Sequence, residues 1–380
     1  MPDKKTYAAD AAFLKKHTEI IELGAGAARV AVAPQYQGRV MTSTLAGGEG
    51  ASFGWINERF IKAGKDDPVF NNYGGEDRFW LGPEAGQFGL WFKSGEPFDL
   101  AHWKTPPGFN TGAFEVSQAN DESVAMTRAF DVTNYAGTTF RCQVSRTINA
   151  IAPEAGGKLL GLALPQGAAM VGFESVNVLT NAGEKPWSHE GGMVSIWILG
   201  MFRPLPRGKV IVPFVAGDDG DLGPKATTNY FGDLPAERCS VKDDHLLFAC
   251  DGAYRSKIGI SPARAKDALG SYDPDAGVLT IVRFNLPAGA ARRRYVNSLW
   301  EFQDRPFAGD AVNSYNDGEP EPGAGQLGPF YEIETSSPAA ELAAGESVTH
   351  VHRTFHLSAP LETLNDIARK ALGVDLTEVL

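Results

Sequence analysis

The sequence predicts an all-β protein: a large antiparallel β-sandwich with a short helix near each end. Three observations predict it. Glycine (43 residues) and proline (24) are both abundant, as suits a chain that turns often. Short runs with period-two alternation or continuous apolar character follow one another along the whole length. Few long helical repeats lie between them, so the strands must pair mainly with one another, antiparallel.

The elements follow in order. Residues 8–16 form a helix with Phe13 and Leu14 as its apolar contacts, and residues 19–23 and 28–32 are strands separated by a Gly-Ala-Gly-Ala turn. Further strands are predicted at 39–44, 87–92, 114–118, 124–132, 138–148, 172–180, 192–201, 210–215, 246–250, 257–260, 278–284, 296–303, 332–335 and 348–357. Residues 361–372 are amphipathic and read as a closing helix, with Gly373 as its C-cap. The Pro/Gly/Asp-rich stretches 216–224 and 316–329 are short enough to be surface loops. No composition shift marks a linker, so residues 1–380 are expected to form a single domain.

A formal net charge of -11 argues against nucleic acid and anionic membrane surfaces as partners. It leaves neutral ligands such as sugars open. Cys142, Cys239 and Cys250 have no CxxC spacing, which suggests neither a zinc site nor a redox pair and fits a reducing compartment; a Cys239–Cys250 bridge across a hairpin is the alternative. The N-terminus carries no continuous apolar segment of the signal-peptide kind, so a cytoplasmic location is expected. No run approaches a membrane-spanning length.

Residues 328–357 are the most informative segment. A strand there puts Glu332 and Glu334 on one face, and a second puts His350, His352 and His356 on one face, three of the chain's seven histidines. Glutamate is depleted from strands, so two on one face, flanked by Phe330, Tyr331 and Ile333, point to a polar cleft. The histidines fit a solvated sheet face, or less readily a metal site completed by a carboxylate.

Three other stretches carry candidates. In residues 71–92, Gly74 and Gly75 precede Glu76, Asp77, Arg78 and then Trp80. Aromatic faces and paired charges of this kind suit a sugar, and an ion pair stabilising a tight turn suits them equally. Residues 177–202 bear Asn177, Trp187, His189 and Glu190. His189 beside a carboxylate can serve as a general acid, although a solvated loop histidine is the simpler reading. Tyr315, Asn316 and Asp317 precede a glycine and read first as turn chemistry. The run 217–223, rich in Asp and Gly, lacks the spacing of a calcium loop and reads as a loop.

The run IETSSPAAELAAGES (333–347) resembles the C-terminal strand-loop-strand of aldose 1-epimerases, the galactose mutarotases, where Glu334 matches the catalytic base. VLTNAGEKPW (178–187) resembles their central Asn-bearing strand and loop, with Ala182 where those proteins have a histidine, and FWLGPEAG (79–86) has none where they carry another. The blocks GGEDRFWLGPE, SIWILGMF, YRSKIG, VNSYNDG and GPFYEIETSSPA are similar to an uncharacterised bacterial family within that superfamily. The resemblance implies a galactose mutarotase-like super-sandwich and an enzyme acting on a small-molecule carbohydrate by acid/base chemistry, with no cofactor and no metal. Glu334 would be the base and His189 or Arg78 would assist at the ring oxygen. Trp80, Asn177, Trp187, Asp317, Glu332 and His352 would position the sugar. Glycoside cleavage or lyase chemistry on an oligosaccharide, and sugar binding without turnover, are the alternatives. Nothing in the sequence fixes an oligomeric state.

Overall fold

The computed structural model describes residues 5–24, 26–289 and 294–379. Its strands are β1 (Ile21–Leu23), β2 (Arg29–Ala33), β3 (Arg39–Thr44), β4 (Arg78–Gly82), β5 (Glu115–Ala119), β6 (Ser123–Thr133), β7 (Thr139–Ile151), β8 (Ala169–Asn181), β9 (Ser195–Phe202), β10 (Leu205–Pro213), β11 (Cys239–Val241), β12 (His245–Cys250), β13 (Ser256–Ile260), β14 (Ala268–Asp273), β15 (Val278–Phe284), β16 (Val312–Asn316), β17 (Tyr331–Ser336) and β18 (Ser347–Ser358). A ten-stranded sheet runs in the order β11-β12-β10-β14-β15-β18-β8-β7-β6-β5, and a five-stranded sheet in the order β13-β16-β17-β9-β4. A three-stranded sheet, β1-β2-β3, completes the set. The expected antiparallel sandwich is the observed architecture.

Alternation along β17 and β18 stacks the two large sheets. In β17, Tyr331, Ile333 and Thr335 turn towards the ten-stranded sheet: Ile333 packs with Val210, Phe248 and Leu269, and the Tyr331 hydroxyl is 2.8 Å from Ser271 Oγ. In β18, Phe355 and Leu357 turn the other way and pack under the helix Leu361–Ala371 with Leu364 and Ile367. Gly373 caps that helix as predicted, at φ +73°, with its N–H donating to Ala368 and Arg369 carbonyls.

The sheet-facing histidines are a correction. His350, His352 and His356 do not line a solvated face; they are buried between the sheets, because the helix covers the opposite face of their strand. The Thr335 hydroxyl is 2.8 Å from both His350 Nε2 and His352 Nδ1. Having one proton, it donates to one ring and accepts from the other. His356 Nε2 is 3.0 Å from Glu76 Oε2, and its Nδ1 is 2.9 Å from Thr280 Oγ1.

Two predicted strands are turns. In 87–92 the chain doubles back, with Leu90 N–H donating to Pro83 and Trp91 N–H to Glu84 carbonyls. In 296–303, Gln303 donates from its backbone to Gln87 Oε1 and from its amide to Asn297 and Leu299 carbonyls. The apolar side chains that suggested strands fill aromatic clusters instead. Conversely, β4, β11, β14 and β16 lie where no strand was predicted: charge in β4, a length of only three residues in β11, a glycine in β14 and turn residues in β16 masked them. The cysteines are all free.

Burial pushes His350 down to about 3 and His352 to about 4. Both lie below the unfolded value of about 6.5, so the neutral rings stabilise the fold fully above that pH and the contribution is lost as pH falls from there through 4 and 3. The urea midpoint should therefore drop between pH 6.5 and 4, and drop less in a His350→Gln/His352→Gln variant. Thr335→Val leaves two ring nitrogens unpaired and should cost about 1–3 kcal/mol at pH 7, read from the same titration.

Candidate active site

The site lies on the outer face of the five-stranded sheet, where register sets its floor. One row reads Met201–Glu332–Tyr315–Lys257 across β9, β17, β16 and β13. The next reads Arg78–Leu199–Glu334–Asn313 across β4, β9, β17 and β16. A third pairs Trp80 with Trp197 and Trp197 with Ser336. Successive rows stand two residues, about 7 Å, apart along the strands. Above this floor is a cavity of about 520 Å³, walled by Phe70, Trp103, Phe231, Trp300 and Leu327.

Charge is organised into pairs within this aromatic box. Arg78 Nη2 donates to Glu332 Oε1 at 2.8 Å, and its guanidinium carbon sits 3.8 Å above the Trp80 ring. Lys257 Nζ donates to Glu334 Oε2 at 3.0 Å and lies 4.6 Å from the Trp197 ring centre. Trp197 Nε1 donates to the same oxygen at 2.9 Å. Glu334 Oε1 is buried and has no hydrogen-bond partner among the described residues. The buried oxygen is polar and unsatisfied, which is unusual in a folded core and common at working sites.

The other carboxyls are held differently. Burial drives Glu332 upward, against Arg78 and reinforced by Glu334. Burial also pushes Asp317 up to about 6, although it accepts from Tyr315 Oη at 2.7 Å and Gly328 N–H at 2.8 Å. Glu84, half-buried on the wall, is raised by desolvation and accepts from Trp103 Nε1 at 2.6 Å. Beside the cleft, Asp310 is pushed up to about 6 by burial and accepts from Tyr230 Oη at 2.6 Å.

Of the residues singled out in the sequence, the fold brings Arg78, Trp80, Asp317 and Glu332 into the cleft wall and floor, with Glu334 beneath. It takes four elsewhere. His189 sits on an exposed turn with its ring 4.4 Å from Phe307. Asn177 is buried in the ten-stranded sheet, accepting from Arg146 Nη1 at 2.5 Å and donating to the His350 carbonyl. Trp187 is a core residue packed edge-on to Phe140. His352 is under the floor, on Thr335. In each case a sequence neighbour of a site residue lies on another sheet, or its side chain leaves by the other face.

Lys257, Trp197, Glu84 and Arg255 were missed as site residues. Lys257 had a signal: a lysine inside the strand run Lys-Ile-Gly-Ile requires a buried counter-charge. The partnership with Glu334, 77 residues away, has no local trace.

Residues 5–380 match the family of unknown function DUF6786, and the chain belongs to that family. No curated protein matches the sequence significantly. Among solved structures, an Escherichia coli K12 protein provisionally named an aldose 1-epimerase superposes with a TM-score of 0.51 at 12% identity, over 90% of this chain and 99% of its own. The Slr1438 protein of Synechocystis sp. PCC 6803 gives the same TM-score and identity, over 90% of this chain and 96% of its own. The shared property is the fold, a galactose mutarotase-like sandwich.

The Lys257–Glu334 pair is buried on both sides, so breaking it leaves a bare charge. Lys257→Met should cost about 3–5 kcal/mol. Adding Glu334→Gln should restore much of that loss, a non-additive cycle read from denaturant midpoints.

Proposed function

We propose that this DUF6786 member is a carbohydrate-active isomerase of the aldose 1-epimerase type, in which Glu334 is the general base and Glu332 the general acid. The observation that carries the reading is the contrast between two carboxyls two residues apart on one strand face. Glu334 accepts hydrogen bonds from an ammonium and an indole, an arrangement suited to a carboxylate, and keeps one oxygen unpartnered. Glu332 is driven upward by burial, towards the protonated state an acid needs. A carboxyl held towards its protonated form beside one that accepts from an ammonium and an indole suits an acid/base pair. The tryptophan box supports the substrate class, because aromatic faces stack on the C–H surfaces of a pyranose.

In this scheme Glu334 takes the proton of the anomeric hydroxyl as the C1–O5 bond breaks, and Glu332 delivers a proton to O5. The product is the open-chain aldehyde. Rotation about C1–C2 presents the other carbonyl face, and the reverse transfers close the ring as the other anomer. Arg78 holds Glu332 in place, and Lys257 does the same for Glu334. His189, on its exposed turn, has no part in this scheme.

Anomer exchange of freshly dissolved sugars, followed by NMR, tests the reading. Glu334→Gln should slow it by about 10²–10⁴-fold. The rate should fall at high pH as Glu332, raised by burial, loses its proton. Glu332→Gln should abolish most activity and the alkaline limb with it. Equal exchange by wild type and Glu334→Gln on every sugar tried would overturn the assignment. New reducing ends from an oligosaccharide would move the chemistry to glycoside cleavage.

A further inference from the structure

Among the described residues the cleft holds three cations, and two of them already have a carboxylate partner: Arg78 has Glu332 and Lys257 has Glu334. Arg255 is the third. It precedes β13 and shares the face of Lys257 two residues on, so its side chain enters the same cleft. Its guanidinium carbon lies 3.7 Å over the Phe231 ring at the cleft wall. Among the described residues it forms no ion pair or hydrogen bond. The carboxyl that feels its charge, Asp317, is engaged instead by the Tyr315 hydroxyl and the Gly328 N–H.

A half-buried arginine with its five donors unspent is an uncommon thing to keep in a cleft, because a guanidinium held on an aromatic face has lost part of its water on that side. Stacking fixes the plane and leaves the edge, where the donors are, pointing away from the ring. That edge matches the two oxygens of a carboxylate or phosphate. The placement is also specific. Arg255 stands one strand repeat, about 7 Å, beyond Lys257, and Lys257 touches Glu334. A pyranose with its anomeric centre at Glu334 would therefore reach towards Arg255 with the far side of its ring.

We infer that Arg255 recognises an anionic substituent on the sugar, so that the substrate is an acidic or phosphorylated monosaccharide rather than a neutral one. This rests on the reading that the cleft binds a sugar with C1 at Glu334. The pairing makes the discrimination meaningful: Arg78 and Lys257 already face Glu332 and Glu334, so among the described residues Arg255 is the cleft cation left to meet an incoming anion.

Calorimetric titration of the full chain with glucuronate, galacturonate, glucose 6-phosphate and galactose 6-phosphate, each beside its neutral parent, tests this. Wild type should bind at least one anionic class roughly tenfold or more tightly than the parent, the scale of a charge-assisted bidentate contact. Uronates alone responding would assign a carboxylate, hexose phosphates alone a phosphate, and both a general anion site. Arg255→Gln should remove the preference and leave affinity for the neutral parents unchanged, which also shows the cleft intact; Arg255→Lys should retain only part of it. Equal binding of anionic and neutral sugars, no binding of any anionic sugar at millimolar concentration, or a preference that survives Arg255→Gln would overturn the inference. Anomer exchange measured on the same samples separates the two readings. Binding preference without exchange defeats the isomerase assignment alone, and exchange indifferent to charge and to Arg255 defeats this one alone.

Discussion

The structure depends on how the run Gly74–Arg78 disposes of three consecutive buried charges. Glu76, Asp77 and Arg78 are all buried, and each is matched on a different part of the molecule. Glu76 accepts from Ser43 Oγ and stands against His356 of β18. Asp77 is paired with Arg146 of β7, which also binds Asn177 and the Gly38 carbonyl, and it accepts from Ser175 of β8. Arg78 leaves on the other side and meets Glu332. A buried ion is costly unless a counter-charge stands against it, so this segment fixes the three-stranded sheet, the ten-stranded sheet and the cleft floor relative to one another. Gly74 and Gly75 make that possible. Both have positive φ, and a Cβ on Gly74 would come within 2.1 Å of the Trp55 carbonyl oxygen.

The same parity rule runs through β17. Its odd positions hold Tyr331, Ile333 and Thr335 against the inner layer, and its even positions put Glu332 in the cleft and Glu334 just beneath its floor. The strand lies between β16 and β9, away from either edge of its sheet, so slipping its register by one would put both carboxylates into the core and an apolar face into the cleft. The polar histidine layer under the floor is the counterpart of the polar floor itself: Thr335 links the two sheets at the level where Glu334 faces outward. Glu334 is thus mounted on a central strand, braced from below, the kind of support that would hold a reacting group in place under the proposed function.

Low polarity above the floor is what gives those carboxyls their range of behaviour. The tryptophans bury these carboxyls, and in that setting each depends on its immediate neighbours for hydrogen bonds and counter-charge. Glu334 has an ammonium and an indole. Glu332 has a guanidinium stacked on Trp80 and the repulsion of Glu334. Asp317 has a tyrosine hydroxyl and a backbone amide and is still driven upward by desolvation. The aromatic residues therefore shape the acid/base properties of the site as much as they shape its volume.

The sequence by itself determined the fold class, most strand positions, the closing helix and its glycine cap, and the face on which Glu332 and Glu334 stand, because all of these follow from local periodicity and turn chemistry. It also held the resemblance that singled out Glu334. Tertiary structure decided which charges meet. Lys257 and Arg255 are ordinary strand-end cations until β13 is laid beside β16 and β17, and His189, Asn177, Trp187 and His352 look like site residues until the chain carries them to a turn, a core or the underside of the floor. Pairing across a sheet depends on long-range register and on which surface each neighbouring element covers. Neither leaves a trace in the residues next door, so the strand pattern could place Glu332 and Glu334 on one face while only the folded sheet could supply their partners.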